Sequence, residues 1–160
     1  MKFIADSMLG RLAKWLRLLG FDTLYYPHIE DSLLIRIASE QDRIILTRDT
    51  RLVKVRGIPE YMLLEDNDTF KQLRKVIKAY DLFPQTGEEN EIPLPSPGRC
   101  SLCNELLMEV ARDKAQPHVP EYTYNTCSRF KYCNMCGRFY WKGSHQENLQ
   151  KKLSDLLNLP

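Results

Sequence analysis

Two pairs of cysteines, each with two residues between its members, constrain this chain more than any other feature of its sequence. The pairs are Cys100-Ser-Leu-Cys103 and Cys133-Asn-Met-Cys136. Four thiolates at this spacing close a tetrahedral zinc site, and the residue after each pair, Asn104 or Gly137, tolerates the positive φ of a tight knuckle. We therefore predict a zinc ribbon with structural zinc. Two disulfides or four unrelated thiols are the alternatives, although nothing else in the chain suggests a secreted protein.

Composition and charge narrow the class of protein. The chain has 160 residues, of which 43% are hydrophobic, and its formal net charge is +2. A chain of this size can bury one hydrophobic core and form a small second domain held by metal. Because its net charge is small, it must bind any nucleic acid through local basic patches. Asp6 comes too early for a signal peptide, and no apolar run approaches the roughly 18–20 residues that span a bilayer. We expect a soluble, cytoplasmic protein with no membrane partner, in which Cys127 is a free thiol.

The chain divides into four segments by composition. Residues 85–98 combine acidic side chains with alternating prolines, which oppose helix and strand, and this stretch is interpreted as a linker. We predict an α/β domain over residues 1–84, a zinc ribbon over 99–146 and a helix over 147–160. The helix should pack on the body of the protein, on a protein partner or on a second subunit. Removal of zinc should unfold the ribbon and leave the α/β domain folded.

Strand-like and helix-like patterns alternate before the linker. The predicted strands are Phe3–Ala5, Thr23–Tyr26, Arg43–Thr47 and Glu60–Leu64, and the predicted helices begin at Met8, Asp31, Asp49 and Asp68. The third strand is a branched run of the kind found in parallel strands that are covered on both faces. This alternation predicts right-handed crossovers and an α/β fold with a doubly wound parallel sheet.

Acidic side chains stand at the ends of the predicted strands. Asp6 ends the first strand and Asp49 the third, while Asp31 begins a helix nearby. Ligands of such sheets bind beyond the carboxyl ends of the strands, and Mg²⁺ or Mn²⁺ prefers carboxylate oxygen, so the three acids predict a site for these cations. The alternative is that Asp31 and Asp49 are only helix N-caps. Capping explains Asp6 less well, because a charged group directly after a buried strand carries a desolvation cost that capping does not require. Asp22 is expected in a solvated loop.

Basic side chains surround this crevice. Arg11, Lys14 and Arg17 form a stripe on the first helix, and Arg48 and Arg51 flank Asp49. Cations beside a carboxylate site suit a phosphodiester substrate, because they neutralise its charge while metal organises the reacting centre. The alternative for the stripe is a solvated helix face.

The ribbon alternates cations with aromatics around its second cysteine pair. The runs are Arg129–Tyr132 and Arg138–Lys142. About half of the aromatics are needed for the core of so small a domain. The others, with the cations, suit stacking on single-stranded RNA, and Lys131, Arg138 and Trp141 are the candidates.

Three blocks of the sequence resemble a known family. They are Met8–Gly20 after Asp6, Ile45–Asp49, and the cysteine pairs that end in Tyr140–His145. Together they look like the PIN-like ribonuclease family named after the C-terminal domain of the Mut-seven exonuclease. The resemblance implies a PIN-like α/β domain with a zinc ribbon and a metal-dependent ribonuclease activity. It is also the reason to count His145 among the RNA-binding candidates.

The resemblance further implies an acidic site at Asp6, Asp31 and Asp49, and it fails at one position. PIN-like sequences often carry another Asp two residues after the match to Asp49, where this chain has Arg51. A site with one metal in place of two, or an inactive site, would follow. Two interpretations stay open: an endoribonuclease that uses Mg²⁺ or Mn²⁺, and a non-catalytic adaptor that binds RNA or docks a protein.

Overall fold

The computed structural model describes residues 1–83, 98–141 and 151, and its first part is a parallel four-stranded sheet in the order β2-β1-β3-β4. The strands are β1 (Lys2–Ala5), β2 (Asp22–Tyr25), β3 (Ile44–Thr47) and β4 (Tyr61–Leu63). The helices are α1 (Gly10–Leu18), α2 (Asp31–Gln41) and α3 (Thr69–Ala79). The predicted α/β class and parallel sheet are confirmed.

Helices cover both faces of this sheet. On one face α1 and α3 share a core with β1 and β3, in which Leu12, Leu16 and Leu73 are buried. On the other face α2 packs through Leu34 and Ala38. Because the strands are parallel and in register, their carboxyl ends lie along one edge of the sheet.

The chain leaves these strands through turns that sequence patterns describe only in part. After β1, a 3-10 turn at Ser7–Leu9 precedes α1, and after β3 the predicted helix is only a 3-10 turn at Leu52–Lys54. The N-cap of α2 is Glu30, and Asp31 is the first helical residue, so the prediction that Asp31 caps this helix is wrong. Asp68 does cap α3, accepting a hydrogen bond of 2.9 Å from the Lys71 amide.

The second part is a small antiparallel sheet. Its strands, in the order β5-β6-β7, are β5 (Met108–Val110), β6 (Phe130–Tyr132) and β7 (Phe139–Trp141). Two short helices that the sequence did not predict, α4 (Arg112–Ala115) and α5 (Glu121–Thr126), connect β5 to β6. Tyr124 of α5 packs on the buried Phe130, with ring centroids 6.4 Å apart. His118, in the 3-10 turn between the two helices, stacks on Phe139 at 4.8 Å. Much of the aromatic content is therefore core.

Some predictions fall outside the described residues. The predicted linker lies there except for Gly98, as does the predicted C-terminal helix except for Lys151, and so does His145. In the part of the chain that the structure describes, no helix has the length and apolar character needed to cross a membrane.

Candidate active site and metal centre

Asp6 lies at the carboxyl end of β1 and is held by the end of β3. Its side chain is 7% exposed. One carboxylate oxygen accepts a 2.8 Å hydrogen bond from the Met8 amide. The other accepts a bond from the Thr47 hydroxyl and a 2.9 Å bond from the Arg48 amide. Three donors fix the carboxylate, which leaves part of its acceptor capacity for a ligand on the open side.

Thr47 links Asp6 to Asp49. The Thr47 hydroxyl donates to Asp6 and accepts a 2.9 Å hydrogen bond from the Asp49 amide. The Asp49 carboxylate in turn accepts a 2.7 Å bond from the Arg51 amide and pairs with the Arg51 guanidinium at 3.3 Å. The Arg51 amide and then its side chain hold the pKa of Asp49 below its ordinary value. Asp49 thus stabilises a local turn without capping a helix, because the N-cap of the 3-10 turn that follows is Arg51, and it remains linked to Asp6 through Thr47.

The acidic side chains do not close a metal cage. Among the described residues, the four paired cysteines are the one group of three or more His, Cys, Asp or Glu side chains whose ligand atoms converge. Asp31 is exposed at the start of α2, close enough to Arg51 to raise the pKa of that guanidinium together with Asp49. Mg²⁺ commonly uses one or two carboxylates completed by water and substrate phosphate. Asp6 and Asp49 therefore fit an open divalent site, with Asp31 near its margin.

A cleft of about 470 Å³ opens beside Asp6, on the face of the sheet covered by α1 and α3. Arg11 and Lys14 line it from α1, and Arg48 lines it from the end of β3. The Arg48 guanidinium also donates to the side chain of Asn67, which precedes α3. Three of the predicted cations therefore meet at one cleft, which adjoins Asp6 and Asp49 through Ser7 and Arg48, although neither carboxylate lines it.

Arg17 does not belong to this basic surface. It is 5% exposed, and its guanidinium donates to the carbonyl oxygens of Thr23, Ser101 and Leu102 at 2.8, 3.0 and 2.9 Å. The prediction that Arg17 binds RNA is corrected, because the first cysteine knuckle covers this end of the helix. Its role is to join the two parts of the protein.

Asp22 stands in the same junction, where a solvated loop was expected. It pairs with Arg43 at 2.7 Å, lies 3.9 Å from Arg99, and accepts a 2.8 Å bond from the Asn104 side-chain amide. Asn104 also accepts a 2.9 Å bond from the backbone of Thr23. Burial raises the pKa of Asp22, but the hydrogen bonds from Arg43 and Asn104 outweigh it and hold that pKa below its ordinary value.

The four paired cysteines form the second site. The Sγ atoms of Cys100, Cys103, Cys133 and Cys136 all lie within 4.8 Å of one another, and those of Cys100 and Cys136 are 3.6 Å apart. Zinc–sulfur bonds of ~2.3 Å in a tetrahedron place sulfurs roughly 3.8 Å apart, so the group fits a metal such as zinc. Cys127 is not part of the group.

Backbone and hydroxyl groups prepare this cluster for a cation. Asn104 and Gly137 follow the two pairs with φ of 66° and 71°, as predicted, and the Cys103 amide lies 3.4 Å from the Cys100 sulfur. The Tyr140 hydroxyl is 3.1 Å from the same sulfur. Burial alone raises the pKa of Cys100, but the Tyr140 hydroxyl and the knuckle amides lower it to about 6. Cys100 therefore favours thiolate, the form that binds metal, whereas the hydrogen bond with Cys136 raises the pKa of Cys103 to about 12 and burial raises the pKa of Cys133.

The ribbon candidates for RNA binding are spread over the small sheet. Arg138 is exposed in the second knuckle, and Trp141 is half-buried in β7. Lys131 lies in β6, directly across from Glu109 of one neighbouring strand and Tyr140 of the other. In the part of the chain that the structure describes, none of these three residues lines the cleft, so they stay candidates for a separate contact.

The chain belongs to the family described as the Mut7-C RNAse domain, whose model matches residues 1–153. The family's description supports a ribonuclease-like function. No curated protein and no solved structure matches the chain.

Proposed function

We propose that this protein is a metal-dependent endoribonuclease whose active site is the edge formed by Asp6 and Asp49. The observation that carries the proposal is the Thr47 hydroxyl, which joins the two acidic residues beside a cleft lined by Arg11, Lys14 and Arg48. Carboxylates that hold a divalent cation beside cations that hold phosphate are the elements that phosphodiester hydrolysis requires.

The residues of the site have distinct roles in this proposal. Asp6 and Asp49 would hold Mg²⁺ or Mn²⁺, and the metal would supply activation of water and neutralisation of charge on the phosphate. The attacking oxygen comes from water, a P–O bond of the RNA backbone breaks, and the leaving oxygen takes up a proton. Thr47 and the Arg48 amide keep the Asp6 carboxylate in one orientation, a function that partners of metal ligands usually serve. Asp31 acts from the margin, through a water or through Arg51.

The ribbon assists by binding RNA away from the reacting centre. Zinc held by the four paired cysteines would fix the strands that carry Lys131, Arg138 and Trp141. Cations and an aromatic on such a surface bind single-stranded RNA through phosphate contacts and stacking. We include His145 in this surface only as a proposal, on the resemblance to the family.

A second candidate function is an RNA-binding or protein-docking adaptor without catalysis. The pair between Arg51 and Asp49 favours it, because a guanidinium 3.3 Å from a carboxylate competes with a metal for that ligand. Since the Arg51 side chain is 91% exposed, however, little packing holds the pair together, and a cation can displace it.

Cleavage of a labelled single-stranded RNA oligonucleotide in Mn²⁺ tests the proposal. Asp6→Asn and Asp49→Asn should each reduce the rate by at least about a hundredfold, because the amide keeps the size of the side chain and loses its charge. Asp42→Asn is the matched control, since Asp42 is exposed and has φ of 52°, which Asn also accepts. Equal activity in all three variants would assign the cleavage to a contaminant, and no activity in the parent protein would favour the adaptor.

A further inference from the structure

The cleft beside Asp6 contains a buried donor that the protein itself does not satisfy. The Nε atom of Arg48 is buried and has no hydrogen-bond partner among the described residues, although the other end of the guanidinium donates to Asn67. A buried charged donor without an acceptor is costly, so such a group is usually satisfied by a ligand or water. Arg48 lines the cleft, and a turn of its guanidinium toward the cleft would let an anion there supply the acceptor.

Arg11 and Lys14 make the same part of the cleft favourable for an anion. Both are exposed on α1 and line the cleft with Arg48. The cleft is also lined by Ser7 and Gly10, at the start of α1. A helix N-terminus adds partial positive charge to that of the three side chains. The anion of a phosphodiester backbone matches this set of donors.

An aromatic ring completes the cleft. Tyr25 at the end of β2 lines it, and its hydroxyl donates a 3.2 Å bond to the carbonyl oxygen of Ser7. A Cβ on Gly10 would come 2.7 Å from the Tyr25 ring, so the ring lies directly against the first turn of α1 because residue 10 is glycine. An aromatic ring beside a phosphate site provides a surface on which a nucleobase stacks.

We infer that this cleft binds one nucleotide of a single RNA strand, with a phosphate on Arg48, Arg11 and Lys14 and the base against Tyr25. The inference rests on the proposed function, because it places the bound nucleotide next to the phosphate that is cleaved at Asp6. Asp31 begins α2, which covers the other face of the sheet, and Arg51 lies near it.

Binding of a fluorescent single-stranded RNA oligonucleotide, measured by anisotropy without added Mg²⁺ or Mn²⁺, separates this inference from catalysis. Arg48→Gln should weaken binding about tenfold and should make the salt dependence of binding shallower, by about 0.7 in slope for each phosphate that is no longer neutralised. Lys14→Gln, an exposed change that does not threaten folding, should weaken binding severalfold. Arg36→Gln is the control, because Arg36 is an exposed arginine on α2, on the opposite face.

Two further variants test the base. Tyr25→Leu should weaken binding of the oligonucleotide about tenfold, whereas Tyr25→Phe keeps the ring and should bind nearly as well as the parent protein. Uridine monophosphate should compete with the oligonucleotide better than inorganic phosphate does.

The outcomes distinguish this inference from the proposed function. If Arg48→Gln and Lys14→Gln bind as Arg36→Gln does, the cleft is not an RNA site, even where Asp6→Asn abolishes cleavage. If Tyr25→Leu binds normally or inorganic phosphate competes equally well, the assignment of the base is wrong. If the cleft variants bind RNA weakly while Asp6→Asn keeps cleaving, the cleft stands and the proposed active site falls.

Discussion

Arg17 of α1 donates a hydrogen bond of 2.9 Å to the carbonyl oxygen of Leu102, inside the first cysteine knuckle. A second bond reaches Ser101 at 3.0 Å, and a Cβ on Gly98 would come 2.7 Å from the Cα of Gly20. Carbonyl groups accept from a buried guanidinium only if the loop holds them in place. Metal held by the four cysteines would close that loop, so these bonds argue against the expectation that the α/β domain stays unchanged when zinc is removed.

Replacing Arg17 should destabilise the protein. We expect Arg17→Gln to lower the free energy of unfolding in urea by about 2–4 kcal/mol, because three backbone carbonyl groups, one of them fully buried, lose a charged donor. Arg11→Gln, an exposed change on the same helix, should stay within about 0.5 kcal/mol of the parent protein. Equal stabilities of the two variants would show that the junction contributes little.

The ligand set of the zinc site is open to direct metal analysis. Cys133→Ser should lose zinc, since it removes one of four converging thiolates, and Cys127→Ser should retain one zinc per chain. Mass spectrometry of the native proteins measures this ratio. Retention of zinc by Cys133→Ser with loss by Cys127→Ser would overturn the assignment.

Removal of zinc should weaken the hydrogen bonding of β2. The Thr23 amide donates a 2.9 Å bond to Asn104, the residue that follows the first cysteine pair. Chelation should therefore speed hydrogen exchange at Thr23, whereas the Ile45 amide, bonded to Glu60 at 2.9 Å within the sheet, should stay protected. Unchanged exchange at Thr23 after loss of zinc would mean that the two parts fold independently.

Arg51 should act as a competitor of the metal. Arg51→Ala removes the cation that pairs with Asp49, so the apparent affinity for Mn²⁺ should rise severalfold. The pKa of Asp49 should rise only in part, because this variant keeps the Arg51 amide, which is the larger cause of the lowered pKa. Arg51→Asp should raise the affinity further by adding a carboxylate. Calorimetry with Mn²⁺ measures the affinity of both variants. Arg56→Ala is the control, because Arg56 is another exposed arginine nearby in the sequence. A fall in affinity in Arg51→Ala would exclude the competition.

The parallel sheet could be predicted because its signals are local. The third strand is a branched run that is buried throughout, and Asp6 and Asp49 follow buried strands whose carboxyl ends must share an edge. The four-cysteine site could be predicted equally well, since the spacing of the cysteines indicates that they bind a metal such as zinc.

Interactions between distant segments could not be predicted. Helical spacing places Arg17 on one stripe with Arg11 and Lys14, but it carries no information that a second domain covers the end of that stripe. The cleft likewise joins Tyr25 and Asn67 from separate strand ends to α1. No sequence motif identifies Tyr25 or Asn67, because each lines the cleft only through its position in the fold.

The central claim, that Asp6 and Asp49 form a divalent metal site, is tested most directly by anomalous scattering from crystals soaked in Mn²⁺. Data collected on both sides of the manganese absorption edge distinguish this metal from zinc held by cysteine. The account predicts a manganese peak within bonding distance of both carboxylates, and loss of that peak in Asp6→Asn. A peak only at other positions, or one that persists in Asp6→Asn, would contradict it.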